Sequence, residues 1–210
     1  DGLQPQSHKM TTTPEKFSDS TNSTTGGLLN TEDRIRIVQN SSSAEQAAEL
    51  LTAPTALLQL SRDDARVVVS YMAPKRFSAG TMFIKEGDTD DTGFMVLVLA
   101  GEVTVENITV SRTDPATVNV LGPGSLVGEM GLLGNEPRSA SCTASTDVRC
   151  AVLTRTSLEL VIDEQPRIGA KLLLAIATRL SERVRNTSRQ LKMYAKLARA
   201  MQQEIDGLTR

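Results

Sequence analysis

Apolar residues along this chain keep three rhythms in succession, and each predicts a different architecture. Residues 1 to about 30 are mostly Ser, Thr, Asp, Asn, Gln and Gly with almost no apolar periodicity, a composition that cannot bury enough surface to fold. The segment 1–42 is accordingly expected to be a mostly disordered tail. Met10 followed by three threonines reads as a native start, so residues 1–9, with the only histidine, His8, read as a cloning remnant without function. From Ser43 to Met72 the spacing turns helical. Ser43 is placed as N-cap ahead of Ala47, Ala48, Leu50 and Leu51; Pro54 breaks that helix and Thr55 to Leu60 resume it. Ser61 then opens another helix, with Asp63 and Asp64 at its positive end and Val67, Val68, Val69 and Met72 on its face.

Between Lys75 and Leu153 the rhythm becomes that of strands. Short apolar runs alternate with turn signals at Ala79-Gly80, Glu86-Gly87-Asp88, Gly101, Thr113-Asp114-Pro115 and Gly122-Pro123-Gly124. Met95 to Leu99 is apolar at every position, as in a strand buried on both faces. Val103 and Val105 alternate with Thr104 and Glu106, and the phase slips after Asn107, which predicts a bulge or edge. Residues 43–165 therefore predict one domain, a closed roll or sandwich preceded by helices.

The last rhythm is a heptad. Pro166 suits the first turn of a helix running to about Leu208, some 40 residues and therefore about 60 Å, longer than a small domain. Leu173, Ala177, Leu180, Val184, Thr187, Leu191, Tyr194, Ala198, Met201, Ile205 and Leu208 alternate by four and three. That is a coiled-coil seam. Leu172 and Ile176 widen the stripe at its start, so the first turns are expected to pack on the chain's own domain. The narrow seam beyond about Thr187 predicts a homodimer through 166–208.

Composition narrows the function classes. The 39% hydrophobic content supports a core, and the 3% aromatic content makes that core aliphatic. A net charge of −2 gives no global attraction to nucleic acid or membrane. No apolar run is long enough to span a bilayer and no signal peptide is visible, so a cytoplasmic protein is expected. Cys142 and Cys150 fall in strands and read as small buried residues. No Cys/His pairing, metal-ligand spacing or Gly-x-Ser-x-Gly is present, so neither an enzyme nor a metal or cofactor site is expected.

Chemistry concentrates between Gly128 and Ala140. After the Gly122–Ser125 turn, Ser125-Leu126-Val127 forms a short strand that delivers the chain to Gly128. Glu129 to Leu133 can make one helical turn whose free N–H groups favour an anion such as phosphate. Arg138, nine residues after Glu129, offers a planar fork for two phosphate oxygens, and Ser139 adds a hydroxyl. Glu129 repels phosphate but can accept from a sugar hydroxyl. The plainer alternative is a structural Glu129–Arg138 ion pair across a loop.

Ser61 to Arg185 resembles the cyclic-nucleotide-binding domain of the catabolite activator proteins and the protein kinase A regulatory subunits. The marks are Phe77, Gly80, Ile84, Glu86-Gly87-Asp88, Met95, Gly101-Glu102-Val103, the Gly122–Ser125 turn, Gly128-Glu129 and Arg138-Ser139-Ala140. The resemblance implies an α+β fold: an eight-stranded β-roll, jelly-roll-like, with N-terminal helices and a long C-terminal helix over the pocket. It implies that Glu129 meets the ribose 2′-hydroxyl, that Arg138 and Ser139 meet the cyclic phosphate, and that Val127, Gly128, Met130 and Ala140 line the pocket. Counting forward places Arg179 near the glutamate and the ligand, against the alternative of a solvated helix residue. The adenine-contacting pair of the activators falls on Arg183 and Val184, with Thr187 a turn later. Arg183 could read guanine or be a surface charge, so the ligand is cyclic AMP or cyclic GMP, with cyclic di-GMP also open. The chain ends about three residues after Gly207, where activators continue into a DNA-binding domain, so DNA binding by this chain alone is not expected. The implied function is a cyclic-nucleotide sensor with an unknown downstream protein partner. The alternative is a coiled-coil scaffold with a vestigial pocket.

Overall fold

The structure, a computed structural model, describes residues 31–54, 56–57, 59–90, 92–107 and 117–208. The expected disorder before residue 31, the phase slip beyond Asn107 and the Thr113–Pro115 turn lie outside them. Three helices come first: α1 (Thr31–Gln39), α2 (Ser42–Leu51) and α3 (Arg62–Val69). Helix α1 corrects the expected tail 1–42 at its C-terminal end. Val38 is buried and Ile35 packs beside it, so this short segment has the apolar face that the preceding Ser/Thr-rich stretch lacks.

Helix α2 is capped by Ser41, not Ser43. Of the consecutive serines 41 to 43, Ser41 is the one with extended backbone, and its hydroxyl accepts from the Ala44 N–H. The helix ends at Leu51, before Pro54, and does not resume: residues 56, 57, 59 and 60 form turns that bury Leu57 and Leu60. Helix α3 starts where expected. The Ser61 hydroxyl accepts from the Asp64 N–H, and the Asp64 carboxylate accepts from the Ser61 N–H, a reciprocal cap.

The strands are β1 (Ala73–Phe77), β2 (Met82–Ile84), β3 (Phe94–Ala100), β4 (Val103–Asn107), β5 (Thr117–Leu121), β6 (Leu126–Val127), β7 (Ser141–Ala144) and β8 (Val148–Thr154). They pair antiparallel in two four-stranded sheets, ordered β1-β8-β3-β6 and β2-β7-β4-β5, which close on each other as an α+β roll. The all-apolar run in β3 is explained by its position. Met95, Leu97 and Leu99 face a core shared with the helices, whereas Phe94, Val96 and Val98 face the roll interior. Strand β8 divides likewise, with Ala151 and Leu153 outward and Cys150 and Val152 inward. Both cysteines are buried free thiols.

After β8 come α5 (Arg155–Glu164) and the 43-residue α6 (Pro166–Leu208). Leu172, Ala175 and Ile176 of α6 are fully buried against the helical core, and Leu180 packs at its edge. From 181 to 206 every residue is exposed, and among the described residues Arg183 makes the last ion pair from the helix to the domain, about one turn before Thr187. Its heptad residues Val184, Leu191, Tyr194, Met201 and Ile205 are each more than half exposed.

Candidate functional site

The site is built where β6 hands the chain to a five-residue helix, α4 (Glu129–Leu133). The N–H of Ser125 closes the turn onto the Gly122 carbonyl at 3.1 Å, and two residues of strand then deliver Gly128. Gly128 has φ +82°, the left-handed region, and a Cβ there would lie 2.9 Å from an Arg138 nitrogen and 3.0 Å from the Phe94 carbonyl. Only glycine supplies this turn and this proximity together. Gly131 is tighter still: its Cβ would stand 2.4 Å from the Thr92 carbonyl and 2.5 Å from Arg138.

Two glycines thus make the slot that Arg138 fills. Its guanidinium donates to the Gly128 carbonyl at 3.1 Å and the Phe94 carbonyl at 3.2 Å, and lies 4.3 Å from the centre of the Phe94 ring. Its backbone is held as well: the Arg138 N–H donates to the Asp88 carbonyl, and the Arg138 carbonyl accepts from the Gly87 N–H. The residue is only 6% exposed. Burial lowers its pKa, with Cys142, Glu129 and Asp88 opposing. The same burial pushes Cys142 up to about 12, leaving it a neutral thiol.

The ion pair proposed above as the plainer alternative, Glu129 with Arg138, is not formed. Glu129 is 3% exposed, and its ion-pair partner is Arg183 of α6, at 3.1 Å. Among the described residues no carboxylate pairs with Arg138. A buried guanidinium satisfied by carbonyls and a ring face, but not neutralised, favours an anion beside it. The first N–H groups of α4 have no acceptor within their own helix, so donors and cation lie on the same short segment.

The other expected residues fall in two groups. Val127 and Ala140 are buried in the same segment, Met130 is half-exposed, and the exposed Ser139 hydroxyl donates to the Met130 sulfur at 3.8 Å. Arg179 donates to the Leu126 carbonyl at 3.2 Å, so it is no solvated helix residue. Arg183, half-exposed, reaches Glu129, so it is not a plain surface charge. Val184 and Thr187 are exposed.

Sequence reasoning missed Arg155. From the start of α5 it donates to the carbonyls of Gly131 (2.9 Å), Leu132 (3.2 Å) and Gly134 and to the Asn135 side chain. It thereby satisfies the carbonyls that a helix end leaves open. Thr92 and Phe94, against Gly131 and Arg138, were missed too. No spacing signals such contacts, since the partners lie on separate strands and helices. Among the described residues no three His, Cys, Asp or Glu side chains gather as metal ligands, and no helix is long and apolar enough to cross a membrane.

Residues 74–165 match the family model described as the cyclic nucleotide-binding domain. Over 106 residues, 50% of this chain, the sequence is 30% identical to the cAMP-dependent protein kinase regulatory subunit of Candida albicans, of which it covers 21%. Over 113 residues, 54% of this chain, it is 26% identical to the CRP-like cAMP-activated global transcriptional regulator of Mycobacterium tuberculosis, of which it covers 49%. The chain therefore spans half or less of these two relatives. A crystal structure of a cyclic nucleotide-binding domain from Methylobacillus flagellatus superposes with TM-score 0.59 at 26% identity, over 74% of this chain and 83% of that one.

Proposed function

Because residues 74–165 are a cyclic nucleotide-binding domain, we propose that this chain senses cyclic AMP or cyclic GMP and passes the signal through α6. The observation that carries this reading is Arg138, a buried cation with carbonyls and a ring for neighbours and, among the described residues, no carboxylate paired with it. The cyclic phosphate sits against Arg138, Ser139 and the first N–H groups of α4. The ribose 2′-hydroxyl donates to Glu129, and Val127, Gly128, Met130 and Ala140 line the site.

Glu129 is also the group that α6 holds, through Arg183. A ligand that donates hydrogen bonds to Glu129 therefore competes with or reshapes a contact to the long helix. That gives the ligand different affinities for two helix positions, which is what a population shift requires. The exposed seam beyond Leu180 pairs with a second copy, so a displacement of one helix reaches the dimer and then a downstream protein.

Both relatives are named for cAMP. Arg183, which the family resemblance places at the adenine-contacting position, favours cyclic GMP as the second reading, because a guanidinium matches guanine O6 and N7. Cyclic di-GMP is the third candidate. Calorimetric titration with the three compounds tests this. Binding near 1 μM, about −8 kcal/mol, is expected for one of the monocyclic pair. Were none to bind tighter than about 1 mM, the scaffold reading would replace the sensor. The regulatory names of the relatives favour a regulator over an enzyme, and a cytoplasmic location is part of the same proposal.

A further inference from the structure

Past Leu180, helix α6 carries a row of charge that the sensing reading does not use. Arg185, Arg189, Lys192, Lys196 and Arg199 follow at intervals of four, three, four and three, and all five are exposed. At about 100° per residue they fall within an arc of about 80° and extend about 21 Å along the helix. Between 183 and 199 the chain has no carboxylate; Glu182 precedes that stretch, and Glu204 and Asp206 follow it. Among the described residues none of the five is ion-paired with an acid. Arg185 donates to Ser181 and Arg189 to Asn186, both polar neighbours one turn away. In a chain of net charge −2, such a row reflects local patterning and not general basicity.

The row keeps the rhythm of the seam but lies roughly 140° around the helix from it. With Val184, Leu191 and Ala198 at one core position and Leu180, Thr187 and Tyr194 at the other, all five cations occupy the two outermost heptad positions. Those face away from a coiled-coil partner. A second copy therefore cannot neutralise them. A lipid surface would have to bury the apolar face of the helix, which is the face that the seam gives to a second copy.

We propose that this row is a docking track for an acidic α-helical segment of a partner protein, with carboxylates repeating at the same alternation of three and four. Only another helix presents side chains in that rhythm along a straight line. The track goes beyond cyclic-nucleotide sensing and takes from that reading only the outward orientation given by the seam.

The test uses the full chain and two labelled synthetic helices of equal composition. One has glutamates spaced four-three-four-three, and the other has them in a contiguous block. Fluorescence anisotropy should show the spaced helix binding at least about tenfold tighter than the block helix, with affinity falling as salt rises. The variant R189Q/K192Q/K196Q should lose that preference while keeping its light-scattering mass and its affinity for cyclic AMP or cyclic GMP. Equal binding of both helices overturns the proposal. So does unchanged binding by the variant, or tighter binding to duplex DNA or phosphatidylserine vesicles than to the spaced helix. A monomeric mass with the helix preference intact would instead remove the seam dimer and leave the track standing.

Discussion

Arg138 in the candidate site and the five cations of distal α6 are both left without acidic partners among the described residues, yet their surroundings could hardly differ more. Arg138 is 6% exposed, wedged between two glycines and a phenylalanine ring, with its nitrogens aimed by carbonyls. The α6 row stands in water along a helix that has left its domain. Desolvation makes the first cation strong and selective: its field is little screened and its geometry is fixed before any ligand arrives. Solvent makes each member of the second weak and dependent on salt. One site suits a single small anion, and the other suits many charges in register.

Substitution of Arg138 is the severest test of that contrast. Arg138→Ala should cost about 2–5 kcal/mol of cyclic-nucleotide affinity, read by calorimetry, while the mass in light scattering stays that of the parent. Parent-like affinity would show that the buried cation is structural. Next is Leu191→Glu on the exposed seam, which should shift the light-scattering mass towards the monomer with the melting temperature of the roll little changed. A dimer that persists would move the interface off α6.

Gly131→Val fills the Arg138 slot with atoms. Overpacking of this kind costs about 1–3 kcal/mol, so both the melting temperature and ligand affinity should fall together. Loss of affinity alone would mean that the slot is not packed as described.

Lys171 is the intermediate case, half-exposed on the packed part of α6 and 2.6 Å from Asp64. Burial by itself raises the Asp64 pKa, but the Lys171 and Ser61 hydrogen bonds outweigh it and hold the carboxyl below its usual value. A depressed folded pKa means that the unfolded chain binds the proton first as pH falls. The pair therefore stabilises fully above the unfolded aspartate value, about 4, and is lost as pH drops through the folded one. Asp64→Asn should flatten the acid limb of a melting curve; an unchanged limb would make the pair inert.

The smallest effect concerns thiols. Burial pushes Cys142 and Cys150 up to about 12, so the stability they add is present below pH about 9 and is lost as pH rises toward about 12. Both should resist alkylation at pH 8 until the protein is unfolded. Rapid native labelling of Cys142 would argue against the closed environment beside Arg138.

The candidate site segment was legible because its chemistry is local. Glu129 and Arg138 sit nine residues apart in one stretch, and the turn, strand and helix that aim them are written in glycines and short apolar runs. The roll was legible for a related reason, since strand lengths and turn residues follow from neighbours in the chain. Serine capping was less so: three adjacent serines offered three caps, and only the path of the chain out of α1 selected Ser41.

What the chain by itself determined, then, is every feature carried by periodicity or adjacency: the strands, the turn, strand and short helix of the candidate site, the heptad of α6 and the charged row that shares its rhythm. Tertiary structure alone decided where distant side chains meet. It put Arg183 on Glu129 and Arg179 on the Leu126 carbonyl, and it brought Arg155 under the end of α4. It also set the point, after Leu180 for apolar packing and after Arg183 for ion pairing, where α6 parts from its domain. Periodicity fixes which face of a helix is apolar, but the reach of a guanidinium depends on how the helix is rotated and offset against the roll, and that follows from packing of the whole core.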